Sequence, residues 1–210
     1  MKRRSLSIIA MVAIGLIVTT GCSSSDHSSM NSSTSSTAIS IPAGADFNAT
    51  DVGFAQGMIP HHAQAVEMAD MAIAANASPT VLALAQKIKA AQNPEIEKMT
   101  SWLQQWKQPV PAITSSMSGG GHDMSGMSGM MMDGMMSQAD MTRLSKSTGA
   151  AFDRLWLELM VQHHEGAVRM ANDELTSGKN AAAQTLARAI IASQTAEIDQ
   201  MNALISSMPN

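Results

Sequence analysis

Two pairs of adjacent histidines are the residues of this chain best suited to chemistry. Each pair follows a methionine by three and four residues, and the six residues are Met58, His61, His62, Met160, His163 and His164. Imidazole binds copper, iron and zinc, whereas thioether is a soft ligand that favours Cu(I). Residues three or four apart lie on one face of a helix, so each methionine shares a face with a histidine. The pattern predicts a metal site built from imidazole and thioether donors.

The two histidine pairs belong to an internal duplication. The stretch MIPHHAQAVEMA at 58–69 matches MVQHHEGAVRMA at 160–171 with an offset of 102 residues. The same offset pairs further residues without an insertion, namely Asp51 with Asp153, Phe54 with Trp156, Ile88 with Ile190, Gln92 with Gln194, Glu95 with Glu197 and Met99 with Met201. A repeat of this kind predicts two structural units of the same fold.

A glutamate in the later part of each copy is a candidate partner for the histidines. Glu95 and Glu197 each lie three residues after a glutamine and four before a methionine. Facing helices of a bundle supply such carboxylates as metal ligands. The alternative is that each glutamate forms a hydrogen bond with a histidine in a partly buried core. The Glu-x-x-His motif of di-iron bundles is missing at this place, which disfavours a di-iron centre.

A methionine-rich segment between the two copies is a second candidate metal site. It reads HDMSGMSGMMMDGMM, and its candidate ligands are His122, Met124, Met127, Met130, Met131, Met132, Met135 and Met136. Several thioethers on a flexible glycine and serine backbone can close around one Cu(I) ion, or around the equally soft Ag(I). Three other interpretations compete: a plain linker, an apolar surface for a protein partner, and a sink for oxidants.

Both copies predict a helical hairpin, so the predicted fold class is all-α. In the first copy a helix is expected from 51 to about 75. A second helix starts at Ser78-Pro79, an N-cap followed by proline at the first helical position. In the second copy the first helix covers about 148 to 175, and Asn180 caps the next. Each hairpin has one apolar stripe, and two stripes that bury each other make a four-helix bundle.

The start of the chain predicts export. Three basic residues precede a short apolar run and a single cysteine, Cys22, which is typical of a bacterial lipoprotein signal. Lipidation of Cys22 would anchor the mature chain on the outer side of the cytoplasmic membrane or on the outer membrane. In both cases the folded part would lie outside the cytoplasm. The alternative is a free thiol left after ordinary cleavage. Because the chain has 17 acidic and only 13 basic residues, nucleic acid is excluded as a partner.

These patterns divide the chain into five parts. They are a signal peptide at 1–21, a serine-rich tether at 22–46, a first helical hairpin at 47–108, a Pro/Gly/Met-rich linker at 109–147 and a second helical hairpin at 148–210.

The doubled His-His motif resembles that of a bacterial family known as domain of unknown function 305. The resemblance rests on MIPHH and VQHHEGA, each followed by Gln-x-x-Glu-Ile-x-x-Met, and it covers about residues 47–208. It implies a ferritin-like helical bundle that is usually exported, with copper binding and copper resistance in some members. Gln162 departs from the Ile-Pro-His-His form of the first copy, which should straighten that helix and leave the histidines in place.

The prediction is therefore an extracytoplasmic lipoprotein that binds Cu(I) for buffering, trafficking or resistance, without being an enzyme. Its expected partners are copper ions, the membrane through Cys22, and a copper exporter, chaperone or oxidase. One alternative is a ferritin-like metal-dependent oxidase that uses the histidine pairs with Glu95 and Glu197. Another is an envelope adaptor module in which the polar groups only hold the core together.

Overall fold

Five helices and no strand make up the part of the chain that this computed structural model describes, residues 40–113 and 133–209. They are α1 (Ala49–Ala74), α2 (Pro79–Gln105), α3 (Gln138–Lys146), α4 (Gly149–Ser177) and α5 (Ala181–Ser207). The pairs α1–α2 and α4–α5 form the two hairpins, which meet mainly along α1 and α4. The prediction of duplicated helical hairpins in an all-α bundle is confirmed.

Several predicted features lie outside the described residues. They are the signal peptide, Cys22, most of the tether, and the candidate ligands His122, Met124, Met127, Met130, Met131 and Met132. Within the described ranges, none of the five helices combines the length and the apolar character that a membrane span requires.

The helices begin and end at the residues that the sequence favours. Pro79 is the first residue of α2 after the N-cap Ser78, and the side chain of Asn180 accepts hydrogen bonds from two main-chain N–H groups of α5. Asn48 caps α1 in the same way, within a reciprocal capping box that includes Asp51. Satisfying these N–H groups stabilises the first turns of α1 and α5, whereas the side chain of Ser78 forms no such hydrogen bond.

Two aspartates tie each hairpin to the turn of the other one. Asp51 of α1 accepts a hydrogen bond of 2.7 Å from the main-chain N–H of Asn180, and Asp153 of α4 accepts one of 3.3 Å from Ser78. Positions 51 and 153, like 78 and 180, are related by the offset of 102. The duplication in the sequence is therefore a pseudo-two-fold relation between the hairpins in the structure.

A second carboxylic acid, Glu174, breaks this symmetry beside Asp51. Its side chain is fully buried, whereas the matching position in the first copy is Ala72. Burial, together with the hydrogen bond and charge of Asp51, raises the pKa of Glu174 to about 8. Glu174 is therefore mostly protonated at neutral pH beside the Asp51 carboxylate.

We expect Glu174→Gln to stabilise the chain at high pH. The raised pKa means that the folded state holds a proton which the unfolded state loses above about pH 4.5, so stability falls as the pH rises from there to about 8. Glutamine keeps a donor toward Asp51 and cannot ionise, so the variant should gain at least about 2 kcal/mol at pH 9 and little at pH 4. Denaturant unfolding at both pH values measures this. Asp173→Asn, on the exposed face, is the control, and an equal gain at both pH values would contradict the expectation.

The core is divided into two half-cores. The first half-core includes Ala65, Met68, Ala72, Val81, Leu84, Ile88, Phe152, Trp156, Met160 and Met201. The second half-core includes Val52, Phe54, Met58, Ile59, Met99, Leu103, Ala167, Leu186, Ala187 and Ile190. Each of the four long helices contributes to both, and on each helix polar residues separate the two contributions. A polar layer therefore crosses the middle of the bundle.

The two ends of the linker between the hairpins lie at opposite ends of the bundle. It leaves α2 at the second half-core, where Leu103 and Trp106 are buried, and reaches α4 at the first, where Phe152 is buried. A helix of 27 residues such as α2 is about 40 Å long. The end of the linker forms α3, which was not predicted and which adds Met141 and Leu144 to the first half-core.

Candidate metal centre

Four histidines form the centre of the polar layer, and we call His61, His62, His163 and His164 the histidine layer. All four side chains have no exposed surface. The rings of His61 and His163, one from each copy, lie with their centroids 3.8 Å apart and their planes inclined by 42°. The contact between α1 and α4 thus brings together the two histidine pairs that the sequence predicted to act jointly.

The predicted glutamates contact one histidine of each pair. The Nε2–H of His62 donates to Oε2 of Glu95 at 2.7 Å, and that of His164 donates to Oε2 of Glu197 at 2.9 Å. The hydrogen-bonded arrangement, one of the two interpretations of these residues, is the one that the structure shows. A carboxylate that binds one ring nitrogen fixes the imidazole and leaves the other nitrogen free for a metal. A direct role of Glu95 and Glu197 as ligands stays a prediction.

Most nitrogens of the histidine layer have no hydrogen-bond partner. The atoms concerned are Nδ1 and Nε2 of His61, Nδ1 and Nε2 of His163, Nδ1 of His62 and Nδ1 of His164, and two neighbouring amide oxygens, Oε1 of Gln92 and of Gln194, share this property. A buried polar group without a partner costs about 1–3 kcal/mol of folding stability. A cluster of such groups in one place is therefore suited to bind a cation. Gln92 and Gln194 were recognised from the sequence only as repeated residues, and not as part of the site.

The charge state of the histidines also suits a cation. Burial, followed by the charges of His62 and His164, lowers the pKa of His61 to about 3. Burial likewise lowers the pKa of His163 and of His164, although the hydrogen bond to Glu197 partly opposes it for His164. These imidazoles are therefore neutral at neutral pH, and each has a lone pair available for a metal ion.

Two of the predicted thioether donors are buried next to the histidine layer along the chain. In the described residues, His, Cys, Asp and Glu side chains alone do not form a group of three or more arranged to hold a metal. Met58 and Met160 are both fully buried and lie in the half-cores on either side of the histidine layer. A set of neutral imidazoles and thioethers fits a soft monovalent ion better than a hard divalent one.

The end of the methionine-rich segment lies on the bundle at the histidine layer. We call residues 133–136 the strap. The side-chain amide of Gln64 donates to the carbonyl of Met136 at 3.0 Å and accepts from its N–H at 2.7 Å. Asp133 forms a bidentate pair with Arg169, and its carbonyl approaches the His61 ring closely enough to raise the pKa of that imidazole slightly. Of the predicted ligands in the segment, Met135 is partly buried and Met136 is buried.

The residues that hold the strap were not predicted from the sequence. Gln64 and Gly166 occupy the same position in the two copies, offset by 102, and both contact the strap. A difference between two otherwise similar copies was the available signal. This difference indicates a surface where the two repeats contact a segment that occurs only once in the chain, here the strap.

One family model and several solved structures are similar to this chain. The family model for a domain of unknown function, DUF305, matches residues 51–205. A DUF305 fragment from Deinococcus radiodurans is 30% identical, with a TM-score of 0.64, and the match covers 77% of this chain and 98% of that one. A DUF305 protein of Streptomyces coelicolor whose secretion is predicted is 33% identical, with a TM-score of 0.65 and coverage of 75% and 92%.

A third similar structure contains a metal. CopM in its Cu(I)-bound form is 33% identical to this chain, with a TM-score of 0.59, and the match covers 74% of this chain and 95% of CopM. CopM has also been solved in Cu(II)-bound, Ag-bound and apo forms. None of the curated proteins compared with the chain matches it. The family model and these structures cover most of the chain, which therefore belongs to the DUF305 family.

Proposed function

We propose that this protein binds Cu(I) outside the cytoplasm and buffers or passes on the ion, without catalysing a reaction. The observation that carries the proposal is the pair His61 and His163, whose neutral, buried rings lie 3.8 Å apart with no partner on any nitrogen. A core that isolates such groups from water is costly unless a ligand satisfies them.

The donor types support a soft ion. Imidazole and thioether are neutral ligands, so a monovalent ion bound by them leaves little net charge in the core. The chain contains one cysteine, Cys22, which is the predicted lipidation site directly after the signal peptide, so thiolate does not compete with methionine. The metal-bound forms of CopM, a protein of the same fold, point in the same direction.

The two candidate sites have different roles in this proposal. The methionine-rich segment captures Cu(I), because thioethers on a glycine and serine backbone need no preformed cavity. The histidine layer, with Met58 and Met160, holds the ion away from water and oxidants. Lipidation of Cys22 keeps the protein at a membrane, where an exporter, chaperone or oxidase would receive the ion.

One alternative function is favoured by a specific contact. The pairs His62–Glu95 and His164–Glu197 resemble the carboxylate–imidazole pairs that tune catalytic metals, which would suit a metal-dependent oxidase. An oxidase requires oxygen consumption that depends on these histidines. A copper-binding protein requires stoichiometric binding without turnover, so an oxygen electrode separates the two functions.

Anaerobic competition with a chromogenic Cu(I) chelator tests the proposal. A chain without residues 117–132 should lose most of its Cu(I) capacity and keep the site in the histidine layer. The double variant His61→Leu/His163→Leu should show the reverse, and combining both changes should abolish binding. Unchanged binding in that combination would contradict the proposal.

Matched variants test the thioethers and the anchor in the same assay. Met58→Leu/Met160→Leu should weaken the core site by at least about tenfold, because each change removes a soft donor. Met68→Leu/Met141→Leu, two buried methionines of the first half-core, is the control and should bind like the parent. Cys22→Ser should move the chain from the membrane to the soluble fraction with its Cu(I) capacity unchanged, whereas retention at the membrane would contradict the anchor.

A further inference from the structure

The histidine layer has an access problem. The four imidazoles have no exposed surface, and helices of both hairpins pack around them. An ion or reagent therefore reaches them only when part of the structure opens. Openings that separate packed helices expose apolar surface of a half-core and are costly, whereas openings of short non-helical segments are not.

The strap is a short non-helical segment at this layer. Apart from its packing, it is held by the two hydrogen bonds between Gln64 and the Met136 main chain and by the ion pair of Asp133 with Arg169. Both members of that ion pair are about half exposed, so solvent screens it and it contributes little. Release of the strap therefore removes one side chain, Met136, from the first half-core and leaves the packing between the helices in place.

The two copies have diverged at the position where the strap lies. The side chain of Gln64 forms hydrogen bonds with the strap, whereas its counterpart Gly166 has no side chain. A Cβ atom at 166 would lie 2.3 Å from the carbonyl oxygen of Asp133 and 2.6 Å from the Cα of Gly134, so only glycine leaves room for the strap. Gly134 itself has a φ of +79°, which glycine adopts without strain. Gln64, Gly134 and Gly166 are therefore all suited to the position of the strap on the bundle.

We propose that the strap, residues 133–136, is the cover of the histidine layer and that its release limits how fast soft metal ions enter and leave. The identity of the ion rests on the proposed function, but the control of access does not.

Chemical modification of the metal-free full chain tests the cover. Diethyl pyrocarbonate modifies neutral imidazoles that solvent reaches, and mass spectrometry reports the rate for His61 and His163. We expect Gly166→Ala and Gln64→Ala each to raise this rate at least about fivefold. The added methyl group at 166 displaces the strap, and the loss of the Gln64 amide removes its hydrogen bonds to the Met136 main chain.

Two matched controls separate release of the strap from general loosening. Gly53→Ala makes the same change on α1, where an added Cβ would meet no atom within 4 Å. Gln56→Ala removes a buried glutamine that binds Pro109 at the other end of the linker. Both should keep the parent rate. Equal rates in the parent and both strap variants, or equal acceleration in the controls, would overturn the proposal.

A metal measurement distinguishes this inference from the proposed function. The association and dissociation rates of Ag(I), used as a probe, should both rise in the strap variants, with the equilibrium affinity changed by less than about threefold. Faster histidine modification without any Ag(I) binding would support the cover and refute the metal function. Ag(I) binding at parent rates in both strap variants would overturn the cover and leave the metal function intact.

Discussion

Replacing Asp51 by alanine is expected to destabilise the protein by about 3 kcal/mol, because it leaves several buried main-chain donors without a partner. The Asp51 carboxylate accepts from the N–H groups of Asn48 at 2.6 Å, Lys179 at 3.1 Å and Asn180 at 2.7 Å. These donors belong to the start of α1 and to the turn between α4 and α5. The change therefore weakens one helix end and one contact between hairpins at the same time.

The duplication provides the control for this prediction. Asp153→Ala removes the matching carboxylate, which accepts only from Ser78, and at a longer distance of 3.3 Å. We expect a loss of about 1 kcal/mol from this variant. Denaturant unfolding of both variants measures the difference. Equal losses of stability in the two variants would show that the number of hydrogen bonds to Asp51 does not determine its contribution to the free energy of unfolding.

Acidification is expected to destabilise the metal-free protein through the histidine layer. The pKa of His61 is lowered to about 3 in the folded state from an ordinary value of 6.5, and the pKa values of His163 and His164 are lowered as well. The unfolded chain therefore takes up protons first as the pH falls below about 6.5. Stability is complete above that pH and is lost progressively toward pH 3. His61 alone accounts for about 2 kcal/mol by pH 5.

The double variant His61→Leu/His163→Leu isolates this effect. Its stability should fall much less between pH 7 and pH 5 than that of the parent, both measured by denaturant unfolding with a chelator present. Glu174 acts in the opposite direction over this range, since its proton is retained in the folded state, but it contributes equally to both chains. Parallel curves for the two chains would contradict the assignment of the acid sensitivity to the layer.

The sequence was sufficient for the architecture because the duplication repeats every local signal. The caps at Ser78 and Asn180 and the apolar stripes lie where they were expected, since capping and amphipathic spacing act within a few residues. The meeting of His61 with His163 was also predictable, because two matching stripes have to bury each other.

Contacts that depend on the three-dimensional arrangement were not predictable. The sequence left open whether Glu95 binds His62 or a metal, since spacing alone does not fix which atoms face each other across two helices. Asp51 was recognised as a repeated residue, but two of its partners, Lys179 and Asn180, lie more than a hundred positions away. The α3 helix was missed because its nine residues give too short a pattern to show periodicity.

The mixed composition of the two half-cores bears on how such a chain originates. Each half-core takes residues from both hairpins, and each hairpin receives a carboxylate cap from the other, so one hairpin by itself has no complete core. A single copy would have to fold as a symmetric pair, and every substitution would then occur twice. Joining the copies in one chain removes that constraint. The two halves differ at Gln64 and Gly166, and at Ala72 and Glu174. The difference between Gln64 and Gly166 gives the pseudo-symmetric bundle one distinct face, where the strap lies.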